Sequence, residues 1–322
     1  MEKFVSTPPP GDKDPQQKKE ALGPELEAVL EQVDFKALED MFRQRIASLG
    51  LDPEAAHFVP YNEISDMTKL GNFRGQGGVY KEEDKKIQLS HPLIKHVTKI
   101  RSLEENSPSY TESVVSMLCH EETHAVSGQE CEEWKSTVLP FVEKRERNIG
   151  FMQKPANRIG GKVVMYPEKA RFVMFNEGVT DMIGEEIYHA YSDTKSEAGG
   201  LELEQYLALY TTGRKLVSAV LEKISDECDL PPELVWRALQ RGYFAGDDLG
   251  NETIHRLFDQ VAPEALFENV KNADGSFSLN IPMALMRIKK SIWTDDSRIK
   301  IRRWFKHVDA LMKESEIDQS IK

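Results

Sequence analysis

The sequence predicts an α+β fold, with a small antiparallel sheet early in the chain and a mainly helical C-terminal half. Apolar residues recur at helical spacing from Pro24 to Gly50 and over Tyr110–Gly128, which predicts helices in both segments. Between these segments the period changes to that of strands, and from Asn176 onward almost every segment has a helical pattern. Strands and helices therefore occupy separate stretches of the chain, which is the arrangement typical of α+β proteins.

The early strands are predicted where short apolar runs alternate with polar residues. His57–Tyr61, Val79–Lys81 and Lys86–Ser90 have this pattern, and an acidic turn between the last two predicts a hairpin. The hairpin strand Lys86–Ser90 either forms the edge that faces the next helix or lies inside the sheet. Residues 1–22 are rich in Pro and charge, so we expect a disordered tail there.

The remaining chain divides at its glycines and prolines. Residues 129–175 have a less regular pattern, with one possible short strand at Lys162–Tyr166. Tyr206–Tyr210 and the apolar residues that follow predict a core helix. Breaks in the helical pattern are expected at Gly199-Gly200, Pro231-Pro232, Gly246–Gly250 and Asp274-Gly275. We therefore expect a core over residues 23–195 and a helical C-terminal subdomain over 196–322.

The charge balance argues against two classes of partner. Lys and Arg together number 42 against 54 for Asp and Glu, a net charge of −12. A chain this acidic lacks the basic footprint of a protein that binds duplex nucleic acid. It also has no polybasic segment of the kind that attracts anionic lipids. We therefore expect neither nucleic acid nor membrane as a partner.

Segments that direct a chain out of the cytoplasm are not found in the sequence. No apolar run approaches the ~18 residues needed to cross a bilayer, and the first residues do not have the pattern of a secretory signal. Three cysteines are too few for a disulfide framework. These observations predict a cytoplasmic protein, with export by a route that needs no classical signal left open. They do not predict an oligomeric state.

One pentapeptide, HExxH at residues 120–124, has the spacing of a metal-binding motif. Residues four apart share one face of a helix, so the imidazoles of His120 and His124 can bind the same metal ion. Glu121 then projects beside that face, where it can polarise a water molecule bound to the metal. The surrounding pattern is helical, with Ser107-Pro108 expected to begin the helix and Gly128 expected to close it in a left-handed conformation.

A second motif lies about fifty residues further along the chain. In the segment Asn176-Glu177-Gly178-Val179-Thr180-Asp181, a cap at Asn176 would place Glu177 and Asp181 one turn apart on a helix. One of the two carboxylates can complete a site of two histidines and one acidic residue, with a further position open to water. The other carboxylate can accept the free N–H of a ligating imidazole.

Together the two motifs resemble those of the gluzincin class of zinc metallopeptidases, in which HExxH is followed by a glutamate helix of the form NExxxD. The resemblance covers about 75 residues. It implies that His120 and His124 are the imidazole ligands of the metal, and that Glu121 is the general base. It also implies that Glu177 is the third ligand and that Asp181 supports the first histidine.

The resemblance implies a zincin-like fold, in which residues 23–195 form the catalytic core and bind one zinc ion per chain. The implied activity is hydrolysis of peptide bonds in a peptide or protein substrate, through a metal-activated water with Glu121 as general base. The chain lacks the GxMxN segment of the related aminopeptidases, so exopeptidase action is not implied. The alternative is a catalytically inactive zincin-fold regulator or partner-binding protein, for which an intact Glu121 would be unnecessary.

Two other third ligands stay open. Glu130 lies six residues after His124, where metzincins have their last ligand, although Ser127 stands where that motif requires Gly. Aspzincins use a downstream Asp, and residues 178–181 come close to their GTxD motif. That reading would make Asp181 the ligand instead of Glu177.

Two tyrosines, Tyr210 and Tyr243, are candidates for the donor that stabilises the oxyanion during hydrolysis. Cys119 adjoins His120, but its side chain points about 100° away around the helix. We therefore expect Cys119 to be a buried core thiol and not a metal ligand.

Overall fold

The protein is mostly helical and carries a small three-stranded mixed sheet. In this computed structural model the described residues are 22–67, 77–81, 84–101, 107–131, 135–136, 142–159, 162–165, 171–198, 201–245, 270–271, 277–278 and 281–321. The expected tail, residues 1–22, lies outside this part except for Leu22, which packs against the core.

The helices follow the predicted pattern closely. Their bounds are α1 Pro24–Leu30, α2 Phe35–Ser48, α3 His91–Arg101, α4 Tyr110–Val126, α5 Val173–Ala198, α6 Thr211–Cys228, α7 Pro232–Ala245, α8 Ile281–Lys290 and α9 Asp295–Ile321. Two short 3₁₀ helices cover Pro53–Ala55 and Tyr61–Glu63. None of the helices within the described residues has the length and apolar character needed to cross a bilayer. The boundary expected after residue 195 falls inside α5, and the division into core and subdomain stays a prediction.

The first sheet contains β1 (Ile64–Asp66), β2 (Gly78–Lys81) and β3 (Lys86–Leu89) in the order β1-β3-β2. The predicted hairpin is confirmed, because β2 and β3 pair antiparallel with Tyr80 opposite Ile87. Strand β1 joins β3 in parallel, so the sheet is mixed and the expectation of a purely antiparallel sheet is wrong. Strand β3 is central, so β1 and β2 are the two edges of the sheet within the described residues.

Three local expectations in this region are wrong. Residues 57–60 form no regular structure, because Pro60 has no N–H to offer to a sheet, and the strand begins four residues later at Ile64. Helix α4 begins after Ser109, whose hydroxyl accepts from the backbone N–H of Glu112 in a capping box, and not at Ser107-Pro108. Its C-terminal end passes through an extended Ser127 and not through a left-handed Gly128.

A second, antiparallel sheet occupies the region where little regular structure was expected. Its strands are β4 (Gln129–Cys131), β5 (Lys135–Ser136), β6 (Val142–Ile149), β7 (Met152–Ile159) and β8 (Lys162–Met165). Gly150 adopts a positive φ of 53° in the tight turn between β6 and β7. Only β8 was predicted, and its bounds differ by one residue. A further pair of two-residue strands, β9 (Val270–Lys271) and β10 (Phe277–Ser278), interrupts the helical C-terminal half.

Helix α4 lies at the centre of the molecule. All its side chains from Glu112 to Val126 are buried, because α1, α3, α5 and the strands β2 and β3 surround it. Helix α5 packs against α2, α4 and α6. Helix α6 also packs against α7, α8 and α9. The two helices that carry the sequence motifs are therefore direct neighbours in one continuous core.

The core helix expected over Tyr206–Tyr210 and the apolar residues that follow is confirmed only from Thr211, where α6 begins. Residues 201–210, between α5 and α6, form a segment without regular secondary structure. Its backbone N–H groups bond to side chains of neighbouring helices instead of to each other. Glu112 accepts from Glu204 and Gln205, and Ser116 accepts from Leu207. Because these acceptors lie on α4, the segment is held along the helix that contains HExxH.

Candidate metal centre

Three side chains meet where α4 and α5 cross. His120 and His124 lie one turn apart on α4, and both direct Nε2 at the Glu177 carboxylate of α5. Glu177 Oε2 is 3.3 Å from Nε2 of His120 and 3.2 Å from Nε2 of His124. One ligand atom from each residue lies within 4.8 Å of the other two, so this group can hold a metal ion.

The buried position of this group makes its charges interdependent. The side chains of His120 and Glu177 are 1% and 15% exposed. Burial alone would raise the pKa of Glu177, but the two histidines hold it well below its ordinary value. Burial alone would lower the pKa of His120, but the carboxylates of Asp181 and Glu177 raise it to about 10. A cation between these carboxylates is therefore favoured, and a metal ion could take the place of the imidazole proton.

Asp181 faces the other nitrogen of the first histidine. Its Oδ1 lies 3.6 Å from His120 Nδ1, on the side of the ring away from Glu177. This distance is too long for a hydrogen bond, and within the described structure Nδ1 is a buried atom without a partner. A small rotation of the ring would supply the bond that fixes the orientation of a ligating imidazole.

Asp181 is also bonded on its remaining sides. Its carboxylate accepts from the Tyr206 hydroxyl, from the backbone N–H groups of Leu209 and Tyr210, and from Arg214 at 2.5 Å. Burial would raise the pKa of Asp181, but His120 and Arg214 lower it. The same carboxylate therefore connects the first histidine to the extended segment before α6.

Glu121 lies beside the three-residue group without belonging to it. Its Oε2 accepts a 2.7 Å hydrogen bond from the backbone N–H of Tyr80 on β2, and the residue is 4% exposed. Burial raises the pKa of this carboxyl, and the two neighbouring histidines lower it in part. A carboxyl held next to a metal-binding group, but not part of it, has the placement of a general base.

The two candidate tyrosines have different positions. The Tyr210 ring stacks on the His120 ring, with centroids 5.1 Å apart and planes inclined by 19°. The charge of Glu177, followed by burial, raises the pKa of Tyr210 well above its ordinary value. Tyr243 is completely buried behind His124, and its hydroxyl bonds to Thr180 and to the Thr123 carbonyl. The structure therefore brings Tyr210 to the site and leaves Tyr243 in the core.

Three other residues considered in the sequence, namely Asn176, Glu130 and Cys119, do not belong to the metal-binding group. Asn176 does not cap α5, which begins at Val173, and its side chain accepts from the backbone N–H of Phe151 instead. Glu130 lies on β4, paired with Asn148. Cys119 is fully buried, as expected. The sequence analysis assigned no role to Arg214, which lies outside both motifs. It also assigned none to Thr180, which lies within the second motif and whose Oγ1 is 3.5 Å from His124 Nδ1.

The donor set indicates the chemistry. Two imidazole nitrogens and one carboxylate oxygen form the ligand set of catalytic zinc sites that keep a position open to water. Compared with protein-family models, curated proteins and solved structures, the chain matches none. The assignment of a function therefore depends on the geometry of this site.

Proposed function

We propose that this protein is a zinc-dependent peptidase with a zincin-like fold of the gluzincin type. The single observation that supports this most is the arrangement of four side chains. Glu177 faces both Nε2 atoms of His120 and His124, while Glu121 lies beside them and is held by the backbone of β2. A purely structural metal site would need His120, His124 and Glu177, and it would have no use for Glu121.

His120, His124 and Glu177 are the residues that would hold the zinc ion, one ion per chain. When bound, zinc supplies the Lewis acid that activates water and polarises the carbonyl of the scissile peptide bond. The unpartnered Nδ1 of His120, with Asp181 3.6 Å away, fits an imidazole whose Nε2 is a ligand. The alternative aspzincin ligand, Asp181, is disfavoured because it faces Nδ1 while Glu177 faces both Nε2 atoms.

Glu121 would accept the proton of the attacking water and return it to the leaving amine. The Tyr80 N–H holds its Oε2, so the carboxyl needs no rearrangement before the proton transfer. Tyr210 would donate its hydroxyl hydrogen to the oxyanion, because its ring lies against His120 and its pKa, raised by Glu177, keeps the hydroxyl protonated. Both roles are performed by residues that other parts of the fold hold in place.

The test is hydrolysis of casein and of a quenched peptide library by the purified full chain, with and without a metal chelator. Glu121→Gln should retain about one zinc per chain while the rate falls by about 10²–10⁴-fold, the usual contribution of general acid–base assistance. Glu222→Gln, an exposed change on α6, is the matched control and should keep full activity. Zinc binding without hydrolysis of any peptide would instead support the non-catalytic regulator. Hydrolysis that resists the chelator would contradict the proposal.

A further inference from the structure

The second histidine of the metal-binding group has a hydroxyl next to its inner nitrogen. His124 directs Nε2 at the Glu177 carboxylate, 3.2 Å away, and its other nitrogen, Nδ1, lies 3.5 Å from Thr180 Oγ1. Among the described residues, this hydroxyl is the one hydrogen-bond partner of Nδ1. The distance is long for a hydrogen bond, and a small rotation of the imidazole would shorten it. Thr180 therefore has the position towards His124 that Asp181 has towards His120.

The spacing of three residues on α5 explains why each histidine meets a different side chain. Glu177 faces the Nε2 atoms of both imidazoles. On a helix the residue three positions later lies about 60° to one side of it, and the residue four positions later lies about 40° to the other side. Thr180 therefore reaches His124 while Asp181 reaches His120. About one turn of α5 faces all four nitrogens of the two imidazoles.

The hydrogen bonds of the Thr180 hydroxyl leave it one role towards His124. A hydroxyl has one hydrogen to donate and two lone pairs that accept. The hydrogen goes to the Asn176 carbonyl, 2.9 Å away. The Tyr243 hydroxyl lies 2.8 Å from Oγ1 and can donate to one of the lone pairs. The other lone pair is then left for the imidazole, so Thr180 can accept an N–H from His124 and has no hydrogen to give it.

An imidazole that binds a metal through Nε2 carries its hydrogen on Nδ1, and the partner of that hydrogen fixes the orientation of the ring. Here the hydrogen is buried, because His124 is 9% exposed and Thr180 is completely buried. A buried N–H without an acceptor is costly. We propose that Thr180 is the positioning residue of His124, which it orients by accepting the Nδ1 hydrogen. This inference rests on the proposed function, since it takes Nε2 of His124 as a metal ligand.

A neighbouring threonine separates this role from ordinary helix packing. Threonines inside helices commonly bond to the carbonyl one turn earlier, whatever their function. Thr123 does so as well, since its Oγ1 donates to the Cys119 carbonyl at 2.7 Å and the residue is completely buried. Its hydroxyl has no bond to an imidazole among the described residues. Thr123 therefore matches Thr180 in residue type, burial and helical bond, and it adjoins the same histidine.

The experiment measures the zinc affinity of the full chain by competition with a chromophoric chelator. Thr180→Val keeps the shape of the side chain and removes the hydroxyl, so zinc should bind about 10–100-fold more weakly. Thr180→Ser restores the hydroxyl and should restore the affinity. Thr123→Val is the matched control and should bind zinc as the wild type does. The visible absorption of the chain loaded with Co²⁺ depends on ligand geometry, and among these variants it should change only in Thr180→Val.

Urea unfolding of the metal-free variants shows whether a loss of zinc follows merely from a loss of stability. If Thr180→Val does not fold, Thr180→Ala removes the same hydroxyl without adding atoms and takes its place. Unchanged zinc affinity without the hydroxyl, an equal loss in Thr123→Val, or no recovery in Thr180→Ser would each overturn the proposal. A chain that binds zinc and hydrolyses no peptide would reject the peptidase and leave the role of Thr180 intact. A wild-type chain that binds no zinc would reject both.

Discussion

The backbone N–H of Tyr80 donates a 2.7 Å hydrogen bond to Glu121 Oε2, so an edge strand holds the proposed general base. The strand can approach this closely because residue 78 is glycine. A Cβ atom at Gly78 would lie 2.7 Å from Glu121 Oε1 and 2.8 Å from its Cγ. The position of the carboxyl therefore depends on a residue that has no side chain of its own.

Gly78→Ala is expected to displace the Glu121 carboxyl and to lower the peptidase rate by about 10²-fold, the effect of a misplacement of roughly 1 Å. Gly77→Ala is the matched control, because its Cβ would meet the flexible end of Met117, which can turn away. Activity and zinc content are measured for both variants. A similar loss of rate in the two variants would show that any side chain in this strand is harmful, and the specific role of Gly78 would be rejected.

Substitutions of Tyr210 and Tyr243 are expected to have different effects, the first on catalysis and the second on stability. Tyr210→Phe should lower kcat by at least about tenfold while KM and zinc content change little, because the lost hydroxyl would act on the oxyanion. Tyr243→Phe should keep kcat and lower the free energy of unfolding by about 1 kcal/mol, because its buried hydroxyl bonds to Thr180. Steady-state kinetics and urea unfolding are measured for both variants. The assignment fails when Tyr243→Phe shows the larger loss of kcat.

Arg214 should contribute strongly to stability through Asp181. The carboxylate is completely buried and the guanidinium Nε lies 2.5 Å from it, so Arg214→Met would leave a buried charge without its cation. The expected loss in the free energy of unfolding is about 3–5 kcal/mol. Lys313→Met breaks the exposed pair with Asp309 and should cost less than about 1 kcal/mol. Equal losses in urea unfolding would contradict the role of Arg214.

The helices and the central site residues were predictable because their patterns are local. Helical periodicity predicts α4, and the i, i+4 spacing alone places His120 and His124 on one face of that helix. The same spacing places Glu177 and Asp181 together on α5, although the expected cap at Asn176 is wrong. The Asn176 side chain instead accepts from the backbone N–H of Phe151, 25 positions earlier. Sequence patterns within one helix cannot predict such a distant contact.

The parts that could not be predicted depend on distant pairings. The strands between residues 129 and 165 are stabilised by each other, so their sequences show little periodicity of their own. The extended segment that carries Tyr210 was expected to be helical, and only the acceptors on Glu112, Ser116 and Asp181 explain its backbone. For the same reason the contact between Tyr80 and Glu121 is invisible in the sequence, since the two residues lie 41 positions apart.

The third ligand distinguishes the gluzincin type from its alternatives. Glu177→Ala should remove a ligand and abolish most zinc retention, because its carboxylate is the one that faces both imidazoles. Asp181→Asn should weaken zinc binding by about 10–100-fold, since it acts through the orientation of His120.

Glu130→Ala is the matched comparison, and it should leave zinc content unchanged because Glu177 already completes the group. Zinc content after dialysis against a weak chelator ranks the three variants, and far-UV circular dichroism confirms that each is folded. Asn is chosen at position 181 because it has nearly the shape of Asp and keeps one of the two oxygens that accept from the Leu209 and Tyr210 N–H groups, so it disturbs the segment less than Ala would. If Glu130→Ala loses the most zinc, a metzincin-like site replaces the gluzincin type. If Asp181→Asn loses more than Glu177→Ala, the aspartate is the ligand, as in an aspzincin.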